Sequence, residues 1–195
     1  GSSSFVGGES IALDVNGNIF VSGYFRNTID FDPGVSSYNL TSVGSLSNIF
    51  NLKLDATGSF IWANQISGSG NIQLGDIDTD ALGNFYLTGN FKNTADFDPS
   101  GSVYNLTAPG VSESIFVCKL SSNSNFVWAL QFDGSPFSYI NDISIDPLNN
   151  IFIAGLFDNT VDFDPSAVVF NQTSNGSHDA YIFKLGVVCT VTSTL

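Results

Sequence analysis

An internal repeat of 66 residues is the feature that most constrains the fold. Aspartates mark one position in every copy, at Asp14, Asp80 and Asp146, and Trp62 and Trp128 are also 66 residues apart. Self-similarity at a fixed period indicates an architecture in which each copy forms one supersecondary unit. The copies span residues 1–66, 67–132 and 133–185, the third being incomplete, and residues 186–195 are a tail or the start of a following domain.

Each repeat contains four strand-like runs, which in the first repeat cover residues 10–13, 19–25, 49–54 and 60–63. In the second run Ile19, Val21 and Phe25 share one face because side chains alternate along a strand. A glycine recurs inside this strand, at Gly23, Gly89 and Gly155. A glycine at such a position predicts that another backbone or a large ring packs closely against it.

Four antiparallel strands per repeat are typical of a propeller blade. We therefore predict an all-β fold, a β-propeller-like array of three four-stranded antiparallel blades. Common propellers close with about four to eight blades. Three blades are too few, so the array is expected to be part of a larger propeller or of an assembly of copies.

The charge balance limits the classes of partner. The chain has 18 acidic and 5 basic residues and a formal net charge of −13. Such a surface disfavours nucleic acids and anionic membranes, and no apolar run is long enough for membrane insertion. The sequence contains no methionine and no signal peptide. It is therefore expected to be a processed or excised piece of a longer product.

An acidic motif, Asn-Thr-x-Asp-Phe-Asp-Pro, begins at Asn27, Asn93 and Asn159. It supplies paired carboxylates in every repeat, at Asp30, Asp32, Asp96, Asp98, Asp162 and Asp164. Together with carbonyls and water they could bind Ca²⁺, the single cofactor that the sequence suggests. The alternative is structural: the aromatic ring anchors the segment in the core, and the carboxylates accept backbone N–H bonds at the turn. The structural alternative is favoured because calcium takes about six to eight oxygen ligands.

Other recurring residues are interpreted as structural. Lys53, Lys119 and Lys184 share one repeat position, and each is expected to pair with an aspartate of the acidic motif. The aspartates at Asp14, Asp80 and Asp146 are expected to close Asx turns. The tryptophans at Trp62 and Trp128 are expected to pack between blades. Cys118 is interpreted as a core residue, and Cys189 lies in the tail, where its pairing is open.

Signs of catalysis are weak. His178 is the single histidine, and no Ser/His/Asp order, phosphate loop or histidine metal cluster is present. A carboxylate pair can serve as the acid and nucleophile of a glycosidase. Catalytic pairs are normally unique, however, whereas these occur in every repeat. We therefore expect that the protein is not an enzyme and that no residue is catalytic.

The acidic motif and the Lys-Leu run occur in this order in all three repeats, and the Phe-x-Trp-Ala run follows them in the first two. This arrangement resembles the SBBP repeat, a β-propeller repeat of secreted bacterial proteins, over residues 1 to about 185. The resemblance implies a propeller fold and an extracellular or cell-surface location. It also implies large multidomain parents, including substrates of type IX secretion, and no enzymatic activity.

These observations together predict a non-catalytic structural or interaction module of a secreted or cell-surface bacterial protein, of the adhesin, filament or spacer type. Its expected partners are proteins or glycans at the cell surface, with self-assembly as a further option. The alternative is a calcium-dependent or lectin-like propeller that binds carbohydrate. A glycoside hydrolase is the remote alternative.

Overall fold

The computed structural model describes residues 4–44, 46–110, 113–133, 139–165 and 168–186. All regular secondary structure in these residues is β. The first repeat forms β1 (Phe5–Leu13), β2 (Ile19–Arg26), β3 (Thr28–Asp30), β4 (Asn39–Thr41), β5 (Asn48–Leu54) and β6 (Phe60–Gly68). The second forms β7 (Ile72–Thr79), β8 (Phe85–Phe91), β9 (Thr94–Asp96), β10 (Asn105–Thr107), β11 (Ser114–Leu120) and β12 (Phe126–Asp133). The third forms β13 (Tyr139–Ile145), β14 (Ile151–Phe157), β15 (Thr160–Asp162), β16 (Asn171–Thr173) and β17 (Asp179–Leu185).

The long strands form one antiparallel sheet in each repeat. The first sheet has the order β1-β2-β5-β6, the second β7-β8-β11-β12, and the third β13-β14-β17. The predicted all-β antiparallel fold is therefore confirmed. Four long strands are present in the first and second sheets. The third has three among the described residues, and the tail at 187–195 lies outside them.

A short hairpin fills the segment between the second and third long strands of each repeat. The three hairpins are β3–β4, β9–β10 and β15–β16. In the second repeat β9 also pairs with β6, through Ser67 and Gly68, so this hairpin extends the edge of the first sheet. The sequence did not predict these hairpins, since strands of three residues are too short to show a periodicity.

The recurring glycine marks a β-bulge. Gly23 lies opposite Gly8, where the β1–β2 register shifts, and a Cβ at Gly23 would overlap the carbonyl oxygen of Gly7. The equivalent atom at Gly89 would overlap the Gln73 carbonyl oxygen. The predicted close approach is thus confirmed, and the partner is the bulged first long strand of the repeat, β1 or β7.

The sheets stack face to face. The front face of each sheet is defined here as the face that carries Ile11, Ile77 or Ile143, and the back face as the one that carries Phe20, Tyr86 or Phe152. The back of the first sheet packs on the front of the second, where Phe20 stacks on Phe85 with ring centroids 5.2 Å apart. The back of the second sheet packs on the front of the third, where Tyr86 shares a cluster with Ile143 and Ile153. The second sheet is consequently buried on both faces, and every residue of β8 is buried.

The predicted positions of the tryptophans and of Cys118 can be compared with this stacking of the sheets. Trp62 lies 6.3 Å from Phe85 by ring centroids and donates its indole N–H to the carbonyl oxygen of Ser122, so it contacts the second sheet as expected. Trp128 packs edge-on to Tyr86 in the next interface. Cys118 is fully buried and free, a core residue as predicted. Cys189 lies outside the described residues.

Candidate functional site

The acidic motif forms the turn of each short hairpin. In the first repeat Asp30 Oδ1 accepts backbone N–H bonds from Asp32, at 3.1 Å, and from Tyr38, at 2.8 Å. Asp32 Oδ1 in turn accepts the N–H of Gly34 at 2.7 Å. The bond from Tyr38, followed by that from Asp32, lowers the pKa of Asp30 below its ordinary value. One carboxylate oxygen of Asp30 therefore ties the two sides of the turn together.

The other two motifs repeat this geometry. Asp96 Oδ1 accepts the N–H groups of Asp98 and Tyr104 at 3.1 and 2.9 Å. In the third repeat Asp162 Oδ1 accepts those of Asp164 and Phe170 at 3.1 and 2.8 Å. The predicted backbone hydrogen bonds are thus present in all three copies.

The aromatic residue between the two aspartates enters the core, as predicted. Phe31 is buried and its ring centroid lies 4.7 Å from that of Phe50. Phe97 lies 4.8 Å from Phe116 in the same way. Each motif thus has one ring that anchors the hairpin on the front face of its sheet and two carboxylates at the exposed turn.

The six candidate metal ligands lie on three separate hairpins, two on each. The described residues contain no group of three or more His, Cys, Asp or Glu side chains placed to hold a metal. At each motif a cation would compete with two backbone N–H groups for the first aspartate. Calcium binding at these positions therefore stays a prediction.

The repeat position shared by the lysines forms a different polar site. Lys53 Nζ lies 3.7 Å from Asp14 Oδ2, and Lys119 Nζ lies 3.2 Å from Asp80 Oδ2. Both aspartate side chains are at most 2% exposed. The prediction that these lysines pair with the acidic motif was wrong. Antiparallel pairing places Lys53 opposite Phe20, at the start of β2, whereas the motif follows the other end of β2.

The aspartates of this site close Asx turns, as predicted. Asp80 Oδ1 accepts the N–H groups of Leu82 and Asn84, and Oδ2 accepts the Asn84 side-chain amide at 2.8 Å. Burial would raise the pKa of Asp80, but the bonds from Asn84 and the nearby Lys119 ammonium outweigh it and hold the pKa below its ordinary value. Lys119 also donates to the Tyr86 hydroxyl at 2.6 Å. Asp80 Oδ2 thus accepts hydrogen bonds from Asn84, Tyr86 and Lys119 within one largely buried network.

A third polar feature, which the sequence did not predict, crosses the interface between the first and second sheets. Ser22 donates to Asn51, Asn51 to Asn64, and Asn64 to Ser124 in the β11–β12 turn of the second repeat, with distances of 2.6, 2.8 and 2.7 Å. The repeat positions of Asn51 and Asn64 are apolar in the second repeat. The two interfaces therefore share their packing positions but differ in polarity.

One open groove is lined in part by the acidic motif. It has a volume of about 440 Å³ and lies between the β4–β5 loop of the first repeat and the β9–β10 hairpin. Val43 and Leu46 line one side, and Thr94, Asp96 and Asn105 line the other. His178, the single histidine, lies in the loop before β17 and is not among the residues that line this groove.

Comparison with known proteins supports the repeat architecture. No protein-family model matches the chain. An uncharacterized WD repeat-containing protein of Acanthamoeba polyphaga mimivirus is 26% identical over 219 residues, which covers 95% of this chain. The chain spans about 15% of the length of that protein. The similarity and the stacked antiparallel sheets together fit a β-propeller-like repeat fold. Among the described residues there is no helix with the length and apolar character that a bilayer crossing requires.

Proposed function

We propose that the chain is a non-catalytic protein-interaction module and that its three repeats are consecutive blades of a β-propeller. One observation carries this proposal: the two interfaces between sheets use the same repeat positions. Phe20 is 0% exposed at the first interface and its equivalent Tyr86 is 2% exposed at the second. WD repeats in the viral relative are consistent with such an array.

The proposed setting is the surface of a bacterial cell or the extracellular space, in an adhesin, filament or spacer. The resemblance of the repeated motifs to SBBP repeats supports this setting. A low charged fraction of 12% and a net charge of −13 suit a surface module that avoids nucleic acids. Further blades outside this chain would lengthen the array in the same direction, with each back face covered by the next front face.

A lectin-like function is the second candidate, because the groove beside β9–β10 presents polar groups. Asp96 and Asn105 line it. If the groove binds carbohydrate, Asn105→Ala should abolish glycan binding without changing the fold, since Asn105 is exposed.

Three assays on the intact chain test the proposal. Hydrolysis of nitrophenyl glycosides and binding to a glycan array, each with and without Ca²⁺, are expected to be negative. Association of the chain with other protein molecules is expected to be positive, and sedimentation velocity would detect it as a species that sediments faster than the monomer. Hydrolysis, or glycan binding that Asn105→Ala removes, would overturn the proposed function.

A further inference from the structure

An exposed pair of packed aromatic rings recurs beside the acidic motif. In the first repeat the ring centroids of Tyr38 and Phe60 are 4.9 Å apart. In the second repeat those of Tyr104 and Phe126 are 4.5 Å apart. Tyr38 is 42% exposed and Tyr104 is 39% exposed, and Phe170, at the same position in the third repeat, is 58% exposed. Each repeat therefore presents an aromatic ring to solvent at one fixed place.

The short hairpin holds this tyrosine beside the first aspartate of the motif. The backbone N–H of Tyr104 donates to Asp96 Oδ1 at 2.9 Å, and that of Tyr38 donates to Asp30 Oδ1 at 2.8 Å. The ring pair and the two motif aspartates are together called the acidic platform of a repeat. It comprises Asp30, Asp32, Tyr38 and Phe60 in the first repeat, and Asp96, Asp98, Tyr104 and Phe126 in the second.

An open cavity joins the second aspartate to the ring pair in the first repeat. It has a volume of about 360 Å³, and its lining includes Asp32 and Phe60 together with Thr57 and Ser59. A group that enters this cavity would therefore contact a carboxylate and an aromatic ring at the same time.

Neighbouring sheets leave the platform open. The second sheet is covered by a sheet on each face, and every residue of β8 is buried. Tyr104 is nevertheless about as exposed as Tyr38, whose sheet is covered on its back face alone. Further repeats, as proposed above, would cover the open front face of the first sheet and the open back face of the third. The platforms would stay accessible to another molecule.

The charge around the platforms favours a cationic partner. The chain has 18 acidic and 5 basic residues. The three ion pairs among the described residues use Asp14, Asp80 and Glu113, and none of them involves a carboxylate of the acidic motif. A cation is attracted both to the face of an aromatic ring and to a carboxylate. A neutral ligand would gain the contact with the ring but not the charge interaction.

We propose that the acidic platforms bind arginine side chains of a partner protein, one side chain at each platform. The proposal rests on the proposed interaction function and gives the chemistry of the partner. Arginine fits better than lysine, because its planar guanidinium stacks on a ring while its N–H groups bind a carboxylate. Because the platform recurs, a partner segment with several arginines would engage successive platforms and bind more tightly than a single arginine.

Isothermal titration calorimetry of the intact chain tests the proposal. The probe is an acetylated and amidated peptide of three arginines separated by pairs of glycines. The matched probe has citrulline, which has the same shape but no charge, in place of each arginine. We expect the arginine peptide to bind with an affinity that falls as the salt concentration rises, and the citrulline peptide not to bind.

Removal of the tyrosine rings separates the platform from the general attraction of an acidic protein. The double variant Tyr38→Leu and Tyr104→Leu keeps the net charge and an apolar contact. It should bind the arginine peptide about fivefold more weakly or worse, since a cation on an exposed ring contributes about 0.5–1 kcal/mol. Phe152→Leu is the matched control, because Phe152 is 36% exposed on the back face of the third sheet, opposite the face that carries the hairpin. It should bind like the wild type.

The carboxylates are tested by a second double variant, Asp32→Asn and Asp98→Asn. An amide oxygen still accepts the N–H bond of the turn, so the variant should keep the wild-type circular dichroism spectrum while binding the arginine peptide more weakly. Equal affinity of the wild type and the tyrosine variant would overturn the proposal, since it would mean attraction by net charge alone. Equal affinity for the citrulline peptide would also overturn it.

Failure of this proposal is distinguishable from failure of the proposed function. A partner protein that binds the wild type and the tyrosine variant equally would support the interaction function and overturn the arginine platforms. Glycan binding that Asn105→Ala removes, or hydrolysis of glycosides, would overturn the interaction function without changing the peptide titrations.

Discussion

Lys119 and Asp80 form an ion pair between β11 and the β7–β8 turn, with Nζ and Oδ2 3.2 Å apart. The aspartate side chain is 1% exposed, and its second oxygen holds the turn closed. Tyr86 lies beside the pair and accepts a hydrogen bond from the lysine. The pair thus joins the turn, the strand and the back face of the second sheet.

Removal of the ammonium should leave a buried carboxylate without its counter-ion. We expect Lys119→Met to lower the free energy of unfolding by about 2–3 kcal/mol at neutral pH, because breaking a buried pair costs more than the pair contributes. Urea denaturation measures this change. Lys92→Met is the control: Lys92 is 45% exposed in its pair with Glu113, and its loss should cost less than about 1 kcal/mol.

The same variant has a predicted pH dependence. The folded-state pKa of Asp80 is lowered, so its stabilising contribution is present above the unfolded-state pKa and is lost as the pH falls through the folded-state pKa. The difference between wild type and Lys119→Met should therefore be largest above about pH 4 and shrink below it. A difference that does not vary with pH would contradict the role of the ion pair.

The bulge glycine provides a prediction about packing. A Cβ at Gly89 would overlap the Gln73 carbonyl oxygen and lie 2.9 Å from the Phe116 ring. Neither group can move without disturbing the core, so Gly89→Ala should cost about 3 kcal/mol. Gly101→Ala is the control, since no atom lies within 4 Å of its added Cβ. Thermal unfolding of the two variants should differ clearly; equal melting temperatures would contradict the close approach.

How much the sequence could predict depended on whether a feature is local. The turn at Asp14 was predicted because an Asx turn involves residues within four positions. The close approach at Gly23 was predicted because a glycine inside a strand often marks a point where a second backbone lies close. The partner of Lys53 was predicted wrongly, since it depends on which end of β2 pairs with the end of β5. The open faces of the array had no signal in the sequence, because exposure depends on neighbouring sheets.

The first long strands of the second and third repeats, β7 and β13, carry aspartates at one repeat position, Asp76 and Asp142. A hydrogen bond with Asp76, followed by partial burial and the charge of Asp76, raises the pKa of Asp142. Asp76 also accepts bonds from Ser10 and from the Ile143 N–H. A carboxyl group whose pKa is raised in the folded state makes the protein less stable as the pH rises through the unfolded-state and then the folded-state pKa of that group.

Asp142→Asn should therefore stabilise the protein at neutral pH, because an amide can donate to Asp76 without a second negative charge. The gain is expected to be below about 1 kcal/mol, since Asp142 is exposed to solvent. It should shrink as the pH falls below about 4, where the Asp142 carboxyl group of the wild type becomes protonated in the unfolded chain as well. Calorimetric scans of both proteins from acid to neutral pH check this, and a variant less stable than wild type at neutral pH would contradict it.

The acidic motifs lead to a prediction about calcium. Because the first aspartate of each motif already accepts two backbone N–H bonds, we expect the melting temperature to be the same in excess EDTA and in millimolar Ca²⁺. A ligand at 100 times its dissociation constant would stabilise the native state by about 2.7 kcal/mol, which a thermal scan detects easily. If calcium raises the melting temperature, the same scans are repeated on Asp32→Asn and Asp98→Asn. A variant that loses the calcium-dependent rise identifies its motif as the one that binds the metal. Without a shift, the motifs serve as hydrogen-bonded anchors that fix each hairpin on its sheet.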